Sequence, residues 1–412
     1  MDTRSYWKSQ IGFPGMNGKK LHILAFIPNF GGCSYYRLLL PGRKLNEHYS
    51  NAVEVRFTEN PLGVDLKTNK ENIDEELFNW ADIVWTNNIP NFGMNYLARV
   101  LGITKERGKL FWQDTDDLLT ELYKGHRLEK VYNEQGLSEN TKWVYYNSDL
   151  VSVTQNKFAQ RIRDFIGPKT CLAVIKNSID YTLPCWNAEK VKVPKDRFVR
   201  VGWAGGIHHE EDVKEFAGIP WLVNQKVGKE NVRWDFYGKP PIDPKSNEKW
   251  QHDVWVNYER IICRGFRNYK NYTINAAMNA DQYGIMFSNF DIGIAPLQMN
   301  NFNDSKSCIK VGELGRYKIP LICSNVGSYN ETIVDGKTGF LVDPGPNSNK
   351  RWVECLTKLI KDKDLREYMG NNLYQITEEY YDINKVVYNR LEFIKYYYEN
   401  VVWKQPLNTQ EI

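Results

Sequence analysis

"DIGIAPLQMNNFNDSKSCIKVGELGRYKIPLICS", residues 291–324, decides the architecture. It begins and ends in short runs, within 290–297 and 319–325, that are nearly continuous in apolar character. Between them lies a helical pattern, so the stretch reads as one parallel βαβ unit with two buried strands. In such sheets the chemistry gathers at the C-terminal ends of the strands. Asn303 or Asp304 can cap a helix whose first turn holds Ser305, Lys306 and Ser307. Lys306, Lys310 and Glu313 then fall at i, i+4 and i+7 on one face. Two lysines so placed repel by roughly a few tenths of a kcal/mol unless an anion lies between them. One reading pairs Lys310 with Glu313 on a solvated helix. The other sets hydroxyls, lysines and N-terminal amides around a diphosphate, with Glu313 accepting from a ribose hydroxyl. The position directly after a buried strand favours the second.

Outward from this unit the same alternation recurs. Strand runs are expected at 21–27, 81–87, 109–114, 150–155 and 171–177, and again at 197–205, 232–238, 290–297 and 319–325. Two such sets imply two doubly wound α/β domains: residues 1–185, 186–380, and a C-terminal helix over 381–412. The boundary falls in "YTLPCWNAEKVKVPKDRF" (181–198), rich in Pro and Lys. Ile383, Val387, Leu391, Ile394 and Tyr398 recur at helical spacing after Asp382, a plausible N-cap. A length of 412 residues suits two domains, and 42% apolar content suits a globular chain. Net charge is only +4, which gives a polyanionic partner little support. The seven cysteines form no CxxC and several sit in apolar runs, which argues for reduced thiols in a cytoplasmic protein rather than a disulfide framework or zinc site. The first twenty residues lack the apolar core of a signal peptide, and no run is long enough to span a membrane.

Several strand ends carry candidate site residues. After the first strand, Gly31-Gly32 precedes a helix containing Arg37. This is either a plain βα turn or a backbone approach to an anionic ligand. Asp114, Asp116 and Asp117 cluster at the end of another strand, where they can bind a metal or an acceptor hydroxyl, or cap and charge the following helix. His126, beside Arg127, is a further candidate against the ordinary structural role of a lone histidine. In "VRVGWAGGIHHEEDVKEF", Gly205 and Gly206 follow a strand, with His209 and Asp212 leading into a helix, a form suited to a phosphate or sugar. Adjacent His208 and His209 without a third spaced ligand make a weak metal signal, so His209 reads as an uncharged polar contact. The stretch "YERIICRGFRNYKNY" (258–272) interleaves basic and aromatic residues. It suits nucleic acid or, more simply, a solvated segment.

With these residues in place, both halves resemble glycosyltransferases of the GT-B fold, specifically the retaining family-4 type. "ELGRYKIP" (313–320) is similar to the segment holding the second glutamate of that family's E-x7-E pattern, and "SNVGSYNETIVDGKTGFLV" to the segment after it. "KNSID" (176–180) resembles the Asn-Gly-Val-Asp junction, and "GWAGGIHHEED" the opening loop of the nucleotide domain. Ser305 stands where the first family glutamate is expected, giving an SKS-x-x-K-x-x-E variant. The resemblance implies two Rossmann-like domains facing a cleft and a last helix crossing back to the first. It implies a nucleotide-diphosphate sugar bound by the second domain and an acceptor on the first. No cofactor and no catalytic metal are implied. Lys306, Lys310 and the region of Ser305 and Ser307 would stabilise the leaving diphosphate, helped by Lys239. Asp116 and His126 would serve the catalytic side. The acceptor would be a glycan, a lipid-linked sugar or a protein, with a modified DNA base as an alternative. A nucleotide-sugar 2-epimerase and a non-catalytic nucleotide-sugar-binding protein are the competing readings.

Overall fold

A computed structural model describes residues 2–27, 31–60, 62–65, 70–87, 93–189, 198–240, 249–264 and 271–402. The chain forms two compact units. The first comprises Met1–Leu122, Leu128–Ser178 and Ile383–Ile412, and the second Tyr123–Arg127 and Ile179–Asp382.

The first unit contains β1 (Leu21–Phe26), β2 (Val53–Thr58), an antiparallel pair β3 (Leu62–Asp65) and β4 (Lys70–Ile73), then β5 (Ile83–Thr86), β6 (Leu110–Asp114), β7 (Leu150–Val153) and β8 (Cys171–Val174). Six of these make one parallel sheet in the order β2-β1-β5-β6-β7-β8. β5 and β7 are buried at every position, as expected where helices cover both faces of a parallel sheet. Trp85 of β5 and Trp112 of β6 are register partners and stack at 4.6 Å. The C-terminal segment belongs to this unit, and Ile383, Val387, Leu391 and Ile394 are all buried. It is not one long helix. It runs as Ile383–Val386, Asn389–Tyr397 and a π-helical turn Tyr398–Val402.

The second unit contains β9 (Val199–Ala204), β10 (Val232–Lys239), β11 (Tyr272–Ala276), β12 (Ile292–Ala295), β13 (Leu321–Ser324) and β14 (Gly339–Val342). They form a parallel sheet in the order β11-β10-β9-β12-β13-β14. The order reverses between β9 and β12, so the ligand crevice of such a sheet falls at their carboxyl ends. Trp203, Trp234, Trp255 and Trp352 fill the core with Phe216 and Phe236. The helix Ile309–Arg316 lies tightly on β12 because Gly293 has no side chain. A Cβ there would come within 2.3 Å of Leu314.

The 291–324 unit is strand, helix and strand, but its helical part is broken. Asn300 caps a single turn, Asn301–Asp304, by accepting from the Asn303 amide at 2.8 Å. Ser305 and Lys306 close that turn through their own amides, and the second helix starts only at Ile309. Lys306 and Lys310 therefore do not lie on one continuous helix, and their separation is not set by the i, i+4 spacing.

Candidate functional site

In the second unit, the carboxyl ends of β9, β10 and β11 enclose a cavity of about 230 Å³. Ala204, Gly205, Gly206, Tyr237, Gly238 and Lys310 contribute to its lining, together with Ala276–Met278, Tyr283 and Met286. Gly206 faces open space, since a Cβ there would meet nothing within 4 Å. Gly205 is pinned by its amide to the Tyr237 carbonyl at 3.1 Å. Gly238, with φ +126°, brings its own backbone against the Gly205 carbonyl, where a Cβ would sit 2.0 Å away. Only glycine tolerates both that conformation and that approach. Lys239 follows at the end of β10, but Gly238 rather than Lys239 lines the cavity.

Lys310 stands at the second position of its helix. Its Nζ donates to Glu313 Oε2 at 2.6 Å, and the Tyr283 hydroxyl donates to Oε1. Glu313 is only 1% exposed and does not line the cavity, whereas Lys310 and Tyr283 do. The solvated Lys310–Glu313 pair considered from the sequence is thus a pair with a buried carboxylate. Glu313 stands one layer behind the wall of this cavity, with Lys310 and Tyr283 between. Ser305 is corrected. It is fully buried, outside the cavity lining, and its hydroxyl meets no hydrogen-bond partner among the described residues. Ser307 is half-buried in the break between the helices.

Beside the cavity, His209 Nδ1 lies 2.8 Å from Asp212 Oδ2. Asp212 Oδ1 accepts from the Gln298 amide at 3.0 Å and from Asn303 Nδ2 at 2.6 Å. Burial pushes the Asp212 carboxyl up, but the His209 contact and Lys306 outweigh it and leave it lowered. Burial, then the nearby Lys306 charge, lowers the His209 imidazole against the pull of Asp212. The pair is a neutral imidazole donating from Nδ1 to an ionised carboxylate, which leaves Nε2 as an acceptor. The Lys306 ammonium sits 4.9 Å above the Phe302 ring, a cation–π contact. The His126 ring packs on that same phenylalanine at 4.8 Å and on His208 at 6.0 Å. His126 thus belongs to the second unit with Lys306, while Asp116 belongs to the first.

In the first unit, Gly31 and Gly32 are exposed at the start of the helical segment 32–48. Arg37 does not face them. It is fully buried, and Nε and Nη2 bind Asp114 while Nη1 binds the Ile175 carbonyl at 2.6 Å and Asn177 at 2.9 Å. The expected donor contact by Arg37 is corrected on this ground, because the guanidinium is spent on joining β6 to the segment after β8. Asp114 is equally committed, taking Ser152 Oγ at 2.7 Å and Trp85 Nε1 at 3.3 Å. Asp116, by contrast, is raised to about 7 by burial and by Asp117, against the lowering effect of Arg37. Cys33, Asp116 and Asp117 bring ligand-type atoms within 4.8 Å of one another, the metal-type grouping among the described residues.

Tyr283, Tyr237 and Met286 were not legible as site residues. Tyr283 stands thirty positions from Glu313 in a segment with no motif spacing, and only the fold joins them. The basic–aromatic stretch 258–272 does not form a stacking face where it is described. Tyr258 is fully buried, accepting from the His209 amide, and Tyr272 donates to Glu259. Residues 265–270 lie outside the described residues. All seven cysteines are free thiols. No helix among the described residues is long and apolar enough to cross a membrane.

Comparisons with known proteins converge on these units. The family of group 1 glycosyl transferases matches residues 270–376, which include Tyr283, Lys306, Lys310 and Glu313. The capsular polysaccharide biosynthesis glycosyltransferase CapM of Staphylococcus aureus is 28% identical over 106 residues. That match spans 26% of this chain and 26% of CapM. Sucrose-phosphate synthase from Thermosynechococcus elongatus superposes with a TM-score of 0.66 at 11% identity, covering 92% of this chain and all of that one. HepE of Anabaena, solved in complex with UDP and glucose, superposes with a TM-score of 0.61 at 14% identity, covering 91% of this chain and 100% of its own.

Proposed function

The chain being a GT-B protein, two Rossmann-like units with a group 1 glycosyl transferase domain in the second, we propose that it moves a sugar from a nucleotide-diphosphate donor to an acceptor. The observation that carries this is the cavity at the ends of β9 to β11, floored by Gly205 and Gly206 and bordered by Lys310. A nucleotide fits such a place. Glycine backbone admits a close approach, and a lysine that keeps two ammonium hydrogens beyond Glu313 can meet a phosphate. Lys306 supplies a second positive charge, and the neutral His209 a hydrogen bond that does not compete for it.

In this reading leaving-group charge is stabilised by Lys306 and Lys310. Transfer proceeds with retention and needs no divalent cation. The acceptor is a glycan, a lipid-linked sugar or a protein. The CapM name makes a surface polysaccharide precursor the first class to try, and the UDP and glucose held by HepE make UDP-glucose the first donor. The protein acts in the cytoplasm, in keeping with its free thiols. No observation favours the epimerase, the binding-protein or the DNA-base reading.

A thermal-shift panel of UDP-, GDP- and ADP-sugars tests the donor assignment. Saturation at a hundred times Kd adds about 2.7 kcal/mol to stability. One donor should raise the melting temperature, and Lys306→Ala and Lys310→Ala should each cut the rise. In a coupled assay, nucleoside diphosphate should be released only with an acceptor pool present and at an unchanged rate in EDTA. A flat panel would overturn the donor site, and loss of activity in EDTA would overturn the metal-independent mechanism.

A further inference from the structure

Arg390 stands on the helix Asn389–Tyr397 of the first unit and is 0% exposed. Its Nε, Nη1 and Nη2 all lack a hydrogen-bond partner among the described residues. A guanidinium carries five N–H donors and no acceptor, so burial leaves a large demand for acceptors. Burial drops its pKa only to about 9, which keeps it charged at neutral pH. The Trp85 ring, 5.8 Å away, offsets part of that charge through a cation–π contact. Of the charged side chains, Asp114 favours the ionised form and Arg37 opposes it. Asp114 is nevertheless committed elsewhere. Its Oδ1 takes Arg37 and Ser152, and its Oδ2 takes Trp85 Nε1. Two buried guanidiniums thus face one carboxylate, an excess of one positive charge. Water would satisfy the N–H groups and leave the charge, whereas an anion answers both. Complete enclosure of the side chain limits that anion to a single small ion.

We propose that Arg390 forms a buried halide site in the first unit, holding one chloride ion on its guanidinium beside the Arg37–Asp114 pair. The ion fastens the C-terminal segment to the sheet. Arg390 belongs to that segment, while Trp85 and Asp114 belong to β5 and β6. All of these residues lie in the first unit, so the site stands apart from the donor cavity and does not depend on the donor reading. Its effect is on stability: an ion that binds the folded chain and not the unfolded one raises the melting temperature by mass action.

Melting curves of the full chain test it, with sodium gluconate replaced stepwise by sodium chloride or bromide at constant ionic strength. Wild type should gain about 2–4 °C and then level off as the site fills. Arg390→Met, which keeps an unbranched stem and drops the charge, should melt at one temperature in every mixture. A wild type indifferent to the anion would overturn the site, and so would an equal rise in Arg390→Met. Those results would mean that Arg390 turns to Asp114 or is met by water. Should the variant fail to fold, crystals of wild type grown in bromide decide. An anomalous peak in contact with the Arg390 guanidinium is expected, and a guanidinium without one would overturn the site.

Discussion

Asp116 and Asp114 are two residues apart on the same strand end and have opposite fates. Asp114 is held by Arg37, Ser152 and Trp85, so its buried oxygens are satisfied by named partners. Asp116 has Asp117 beside it and is raised to about 7, first by burial. A carboxyl whose folded value is raised favours the folded state while protonated. That contribution is complete below its unfolded value near 3.8 and is lost as pH rises through about 7. Asp116→Asn removes the titration. The variant should therefore melt higher than wild type at pH 8, with the gain shrinking steadily toward pH 5, as read from parallel melting curves. An equal gain at both pH values would mean that the carboxyl is already ionised across the range. A residue held near neutrality at a strand end is where acid–base chemistry is commonly found, which keeps Asp116 the candidate for contact with the acceptor.

At the scale of elements, continuous apolar runs were the readable signal, and strand runs such as 81–87 and 150–155 became β5 and β7 because buried parallel strands need apolar residues on both faces. β2, β11 and β14 were not among the expected runs, and for β2 and β11 the same physics says why. They are edge strands, and "VEVRFT" and "YTINA" mix polar with apolar residues where one side faces solvent. The helix break at Ser305 was illegible because it depends on tertiary contacts. Asp304 turns aside to take the Gly327 amide at 3.0 Å, and Ser328 Oγ holds the Lys306 carbonyl at 2.8 Å. Of the site, the glycine loop after β9 and Lys310 could be found from spacing, while Tyr283 and Gly238 could not. Gly238 supplies a prediction at this scale. Gly238→Ala places a methyl against the Gly205 carbonyl in a backbone conformation that costs about 1–3 kcal/mol for a non-glycine residue. The variant should lose stability by about that much in urea titration. It should lose the nucleotide-induced thermal shift almost entirely, because the displaced Gly205 is cavity floor. An intact shift would show that the loop is not part of the donor site.

For the whole molecule, the first unit is closed by the two ends of the chain. Trp7, on the helix Thr3–Ser9, is fully buried, packs on Phe13 at 5.7 Å and donates its indole to Glu392 of the C-terminal segment. Phe393 meets Trp112 edge-on at 6.0 Å, and Tyr397 reaches Asp149 at 3.0 Å. Residues 383–402 therefore complete the core of a sheet whose first strand begins at Leu21. Arg390 shows how deep this segment lies. It is fully buried 5.8 Å over the Trp85 ring, and burial drops its guanidinium to about 9. Each buried aliphatic side chain of the segment is worth about 1.5–3 kcal/mol. Losing Ile383, Val387, Leu391 and Ile394 together is comparable with the whole stability of a domain, about 5–15 kcal/mol. A chain ending at Asp382 should thus fail to hold its first unit. Hydrogen exchange read peptide by peptide should show β5 and β6 exchanging as unfolded chain, while β12 and β13, which draw no core residue from the deleted segment, keep their protection. Protection retained in β5 and β6 would mean that the segment decorates the first unit rather than completing it.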